Sequence, residues 1–216
     1  MKTLRLILGD QLNIKHSWFQ KVDGNITYVM TEMQQEATYV KHHIQKIVAF
    51  FTAMRSFSEV LETKGHKVLY FKIGDAKNPQ GLQQLVTHCI AKTNASKFEY
   101  QLPDEYRLDE QLKDICSSLS LAVNAHDTEH FYTERDELAK FFKGKKTLIM
   151  ESFYRMMRRK HDIMLVNKQP EGGKWNFDHS NRKKWKGTPS IPEALVHKRD
   201  VTPLVKEISE AGVETF

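Results

Sequence analysis
The chain has 216 residues, 40% of them apolar and 28% charged, with a formal net charge of +6. This is enough material for one good hydrophobic core plus an extension, and no apolar stretch reaches the length of a membrane span. Two cysteines, Cys89 and Cys116, far apart and unpatterned, argue for a reducing cytoplasm and against a zinc or iron–sulfur site made by this chain.

The start, Met1-Lys2-Thr3-Leu4, runs directly into a strand-like segment, Leu4–Leu8, and leaves no room for a signal peptide. That run ends in Gly9-Asp10. A second run, Ile26–Met30, ends in Thr31-Glu32. From Glu36 to about Glu62 the pattern predicts one long helix, because Val40, Ile44, Ile47, Phe51, Met54 and Leu61 recur at spacings of three, four or seven. Gly65 stops it, and Val68–Ile73 forms a third strand ending in Gly74-Asp75. A helix from about Pro79 to Ala91 leads to a strand near Phe98–Leu102, which ends in Pro103-Asp104-Glu105. A further helix near Leu108–Leu119 leads to a fifth strand at Leu121–Val123. Alternation of this kind, with strands apolar on both faces, predicts an α/β fold in which a parallel sheet is covered by helices.

Each of the first four strands is followed by a carboxylate: Asp10, Glu32, Asp75, then Asp104 and Glu105. In an open parallel sheet ligands bind beyond the carboxyl ends of the strands, where the winding direction reverses. If the first strand is central, Gly9-Asp10-Gln11 borders that crevice. On a continuous helix, Glu36, His43 and Phe50 are seven residues apart and share a face. A carboxylate, an imidazole and an aromatic ring could frame a flat heteroaromatic ligand. His43 as a satisfied histidine and Phe50 as core is the competing reading.

Charge is unevenly spread. Between Lys140 and Lys186 fourteen Lys/Arg stand against four acids, a local net of +10, so the remainder sums to −4. Aromatic residues interleave this region (Phe153, Tyr154, Trp175, Phe177, Trp185), a composition suited to a polyanion, usually nucleic acid. A merely solvated basic face is the alternative. Within it, residues 172–182 combine Gly172 and Gly173 with two aromatics and an Asn–Asp–Asn–Arg set, which suits a loop whose shape matters. Several chemistries are excluded. There is no P-loop, no G-x-G-x-x-G fingerprint and no G-x-S-x-G elbow, and His126 and His130 lack an H-E-x-x-H frame.

Four segments in order carry a family resemblance: Leu6-Ile7-Leu8-Gly9-Asp10-Gln11-Leu12; Glu36-Ala37-Thr38-Tyr39-Val40-Lys41-His42-His43 with Ala53-Met54-Arg55; Met150-Glu151-Ser152-Phe153-Tyr154-Arg155-Met156-Met157-Arg158-Arg159-Lys160; and Gly172-Gly173-Lys174-Trp175-Asn176-Phe177-Asp178 with Asn181-Arg182. The chain resembles the prokaryotic photolyase/cryptochrome proteins that carry an iron–sulfur cluster, among them bacterial (6-4) photolyases. The resemblance implies a Rossmann-like five-stranded sheet of order 3-2-1-4-5, an antenna domain over residues 1–132 and a basic interdomain connector over 133–216. It implies that FAD and a [4Fe-4S] cluster belong to a carboxy-terminal helical domain outside this sequence, so that the chain is inactive in repair by itself. It also implies that 6,7-dimethyl-8-ribityllumazine can be held as a light-harvesting antenna. The Gly9-Asp10-Gln11-Leu12 loop and Glu32-Met33 would line its ring, Glu36 would hydrogen-bond its edge, and His43 and Phe50 would border it, unless bulky Phe50 fills the space. Arg155, Arg158, Arg159, Lys160, Lys174, Trp175, Asn176 and Arg182 are the implied contacts to damaged DNA or to the other domain, with no membrane partner. The competing function is a nucleic-acid-binding module acting through residues 140–186 with no chromophore.

Overall fold
A computed structural model describes residues 1–216, the side chain of Ser180 excepted. Five apolar runs become strands: β1 (Thr3–Leu6), β2 (Ile26–Thr31), β3 (Lys67–Phe71), β4 (Lys97–Gln101) and β5 (Ala122–His126). All pair in parallel, in the order β3-β2-β1-β4-β5. This is the Rossmann-like sheet expected from the alternation and the resemblance. β1 is central, with Leu6 opposite Val29 on one side and Tyr100 on the other. The winding reverses across β1, because β2 and β3 extend the sheet one way and β4 and β5 the other.

The period-two alternation of strand side chains feeds two cores. Leu4, Leu6, Val29, Phe71, Phe98 and Tyr100 face one side with residues of α3 (Leu82–Thr93) and α4 (Tyr106–Ser117). Ile7, Tyr28 and Met30 face the other, against Trp18, Phe19 and the apolar stripe Ile47, Phe51, Met54, Phe57 and Leu61. Burying each such side chain contributes about 1.5–3 kcal/mol, so this stripe holds its helix to the sheet.

The single helix expected from Glu36 to Glu62 is two helices. α1 (Gln34–Thr38) stops, and α2 (Ile44–Thr63) starts anew. His43 is the start residue of α2, in extended backbone, with its Nδ1 accepting from the Gln45 N–H at 3.2 Å. Val40, counted in the predicted stripe, is 51% exposed. Two factors account for the break. Aromatic and β-branched residues at 38–40 are poor helix formers, and His42 pairs its backbone with the Thr215–Phe216 segment instead of a helical neighbour. At the other end of α2, Gly65 at φ +91° makes the left-handed turn that predicts a stop.

Two compact units are formed, one by residues 1–130 with 200–216, the other by 131–199. The closing segment, grouped by sequence with the connector, thus returns to the first unit. There α8 (Thr202–Glu210) buries Leu204 and Ile208 in the α2-side core. The second unit contains α5 (Glu137–Phe142), α6 (Met150–Lys160), α7 (Asp178–Asn181) and the hairpin of β6 (Leu165–Val166) and β7 (Gln169–Pro170). Asn167 and Lys168, both at positive φ, make the two-residue turn whose twist suits that hairpin. No helix among the described residues is long and apolar enough to cross a membrane.

Candidate functional site
At the carboxyl end of β1 the first unit opens into a cleft of about 200 Å³. Its apolar wall includes Leu6, Leu8, Met33, Ile47, Phe51 and Met54, and its polar groups are Asp10, Thr31, Glu36, His42, Lys46, Glu105 and Arg107. The place follows from topology: the β1 loop, α1, the first turns of α2 and the start of α4 converge where the winding reverses.

Of the residues expected there, Gly9, Asp10, Met33, Glu36 and Phe50 line the cleft. A Cβ built on Gly9 would lie 3.0 Å from Met54 Sδ and 3.2 Å from Phe50 Cδ1, so glycine leaves the loop close to α2. Phe50 is 41% exposed, and its ring forms part of the wall. Glu36 receives both terminal nitrogens of Arg107, at 2.7 and 3.1 Å. The Arg107 guanidinium also lies 4.4 Å from the centre of the Tyr39 ring. The hydrogen bonds that Arg107 donates to Glu36 make the guanidinium hold its protons more tightly than usual, outweighing partial desolvation. Asp10 is exposed at the rim. Its carboxyl is nevertheless pushed above the usual range, chiefly because the cleft partly desolvates it, with Asp104 and Glu36 adding repulsion against its own backbone N–H and His130. Solvent screening keeps that shift from bearing on stability.

Four expected residues do other work. Gln11 is buried and holds the loop shut: its Oε1 accepts from the Leu8 N–H at 2.9 Å and its Nε2 donates to the Gln101 carbonyl at 3.1 Å. Leu12 packs against the α2-side core. His43 caps α2 as described. Glu32 is fully buried behind the cleft. It accepts from Arg55 Nε (2.6 Å), Arg55 Nη2 (2.9 Å), the Tyr70 hydroxyl (2.6 Å) and the Ile73 N–H (2.9 Å). Burial first, then the Glu32 charge, keeps the Tyr70 hydroxyl protonated far above its ordinary range. Arg55 reaches Glu207 on α8 as well, so this network ties β2, β3, α2 and α8 together. The residues missed by sequence, His42, Lys46, Tyr39 and Arg107, lay in the stretch read as continuous helix or beyond the acids ending β4. An arginine placed after Pro103-Asp104-Glu105 was the available signal.

In the second unit Arg155, Arg158 and Arg159, on one face of α6, stand over the Trp175 ring at 5.4, 5.2 and 4.7 Å. They are not equivalent. Arg158 is buried and donates to the carbonyls of Ile163, Met164 and Trp175, so it shapes the turn around the hairpin. Arg155 pairs with Glu151, and Lys160 with Glu137. Lys174, Asn176 and Arg182 are exposed, with Asn176 only 3.4 Å from Glu151. Gly172 and Gly173 both take positive φ, consistent with a shaped loop. A cavity of about 360 Å³ lies beside Trp175, bordered by Tyr154, Phe177 and the carboxylates Glu151, Glu171 and Asp178.

Comparison with known proteins places these features. The family model described as deoxyribodipyrimidine photo-lyase-related protein matches residues 5–216. The chain is 36% identical over 220 residues to a (6-4) photolyase of Agrobacterium fabrum, covering all of this chain and 42% of that protein. It is 23% identical over 192 residues to an uncharacterized protein of Acanthamoeba polyphaga mimivirus, covering 84% of this chain and 94% of that one. The chain thus spans less than half the length of the photolyase and nearly all of the viral protein.

Proposed function
The chain belongs to the deoxyribodipyrimidine photo-lyase-related family, and from that premise we propose that its first unit holds a flat heteroaromatic antenna, 6,7-dimethyl-8-ribityllumazine, in the cleft at the end of β1. The observation that carries the reading is the cleft itself: apolar walls from β1 and α2 with the carboxylates Asp10 and Glu36 at its edge. A pteridine-like ring needs apolar faces and acceptors for its N–H edge, and small-ligand sites commonly combine the two. What the ligand would supply is absorption of near-ultraviolet to violet light and transfer of that energy to a flavin. The protein's part is to fix the ring: Phe50 and Met54 wall it, Gly9 leaves room for it, and Arg107 pairs with Glu36 and aims it. Glu32 and Gln11 position these groups without touching the ligand.

The flavin and [4Fe-4S] cluster are proposed to belong to residues that the longer relative has beyond the matched 42%, and light-dependent repair of damaged DNA to require them. We place the protein in a reducing cytoplasm, where Cys89 and Cys116 stay unpaired. The arginine-faced Trp175 and exposed Lys174 and Arg182 favour a second role for residues 131–199, salt-sensitive contact with nucleic acid. Titrating lumazine into the protein and into Gly9→Val, with ligand fluorescence as readout, tests the antenna reading. Binding by the parent and its loss in the variant, whose side chain would occupy the cleft, is the expected result. Equal binding by both would move the ligand elsewhere.

A further inference from the structure
We infer that residues 211–216 are a strap that holds the cleft open, by keeping α1 and α2 from joining into one helix. The strap follows α8, and the end of α8 fixes its course. Gly212 turns the chain at φ +73°, its N–H donating to the Ser209 carbonyl at 3.0 Å while the Val213 N–H donates to the Ile208 carbonyl at 3.3 Å. In this left-handed helix ending the residue after the glycine packs back on the last turn. Val213 does so, and is 6% exposed in the α2-side core. The strap then meets the break. The Gln34 side-chain amide donates to the Ala211 carbonyl at 2.7 Å, and Thr215 pairs in parallel with His42. The Phe216 N–H donates to the His42 carbonyl at 3.1 Å, and the Ile44 N–H donates to the Phe216 main-chain oxygen at 3.4 Å.

The groups bonded at residues 42 and 44 are those that a continuous helix would use for itself. There the His42 carbonyl would accept from the Lys46 N–H, and the Ile44 N–H would donate to the Val40 carbonyl. Strap and joined helix therefore compete for the same backbone groups, and only one of them can form. Tyr39-Val40-Lys41-His42-His43 contains neither Pro nor Gly, so nothing in it forbids a helix. Val40 is 51% exposed beside the break. It precedes Ile44 and Ile47 at helical spacing, so joining would bring it onto the apolar stripe. The cleft depends on the outcome. Glu36, His42 and Phe50 all line it. On one continuous helix Glu36 and Phe50 share a face, but His42 turns about 120° away from Glu36. The observed wall therefore exists only with the break in place. If the cleft is the chromophore site, on which this consequence rests, strap and ligand stabilise one another.

Three substitutions in the full chain test the strap. Val213→Asp releases it by placing a carboxylate in the core. His43→Pro forbids the joined helix and suits the break, because His43 is extended at φ −68°, which proline adopts, whereas proline inside a helix clashes with the preceding turn. Phe216→Pro leaves Val213 buried and removes the N–H given to His42, so it decides the question if Val213→Asp does not fold. Cα chemical shifts of residues 39–43 and lumazine titration by fluorescence are read on each variant. In Val213→Asp those shifts should turn helical, and the apparent affinity should fall about tenfold once the open form is about one-tenth populated. Adding His43→Pro should return both towards the parent, and Phe216→Pro alone should move both in the direction of Val213→Asp. Shifts that stay as in the parent, or become those of an unfolded segment, overturn the strap. Helical shifts with unchanged affinity overturn its hold on the cleft. A parent that binds no lumazine defeats the antenna reading, and the shifts then decide by themselves whether the strap breaks the helix.

Discussion

Replacing Glu32 with alanine separates a structural carboxylate from a ligand-binding one. Glu32 is fully buried and accepts four hydrogen bonds, two from Arg55 and one each from Tyr70 and the Ile73 backbone. Truncation leaves the Arg55 guanidinium with Glu207 alone, and leaves the Tyr70 hydroxyl and the Ile73 N–H facing a void. Breaking a buried ion pair by removing one partner costs about 3–5 kcal/mol. An unpaired buried N–H costs about 1–3 kcal/mol by itself, so it falls within that range. For a chain of this size the thermal midpoint should drop by about 6–20 °C. Urea denaturation followed by circular dichroism gives the loss, and hydrogen exchange assigns it to residues 1–130 and 200–216. Arg55→Met should cost a similar amount, because it strands the carboxylate. The double variant Glu32→Leu with Arg55→Met should recover much of the loss, since no charge then remains buried without its partner. A Glu32→Ala protein of unchanged midpoint but weakened lumazine binding would refute the structural assignment and return Glu32 to the ligand.

Three further outcomes are expected. Glu99 is buried. Its burial alone would raise its carboxyl pKa, but hydrogen bonds from Lys97 and Arg5 outweigh it and hold the value below the usual carboxylate range. A depressed folded value stabilises the fold above the unfolded pKa and is lost as pH falls through the folded one. Glu99→Gln should therefore cost about 1.5–3 kcal/mol at pH 7, and the difference from the parent should shrink once pH drops below about 4.3; a pH-independent cost would contradict this. Gly172 sits at φ +73°, and a Cβ there would lie 3.0 Å from Phe177 Cζ. Gly172→Ala should destabilise residues 131–199 by about 1–2 kcal/mol, read as faster hydrogen exchange in that unit alone, and unchanged exchange would argue against a shaped loop. If residues 131–199 contact nucleic acid, Lys174→Ala and Arg182→Ala should each lower the slope of log affinity against log salt by about one. A slope that stays constant in both variants counts against that surface.

Periodicity and composition determined the architecture, because strand and helix patterns report which faces are buried whatever partner buries them. The alternation of apolar runs pointed to the parallel sheet, the acids after the first four strands pointed to the end where the cleft opens, Gly9, Asp10, Glu36 and Phe50 were readable beside it, and the family resemblance added Met33. The break between α1 and α2 was hidden, because a seven-residue spacing persists across a short interruption. Only the pairing of His42 with Thr215, about 170 positions away in sequence, ends the helical path. The same limit governs charge. Sequence shows that Glu32 follows a strand and that Arg158 lies in a basic run. It does not show that Arg55, Tyr70 and Ile73 surround the first, or that three carbonyls absorb the second. Whether a charged group is a partner for ligand or a brace for the fold depends on which groups reach it through space, and that is decided by tertiary packing.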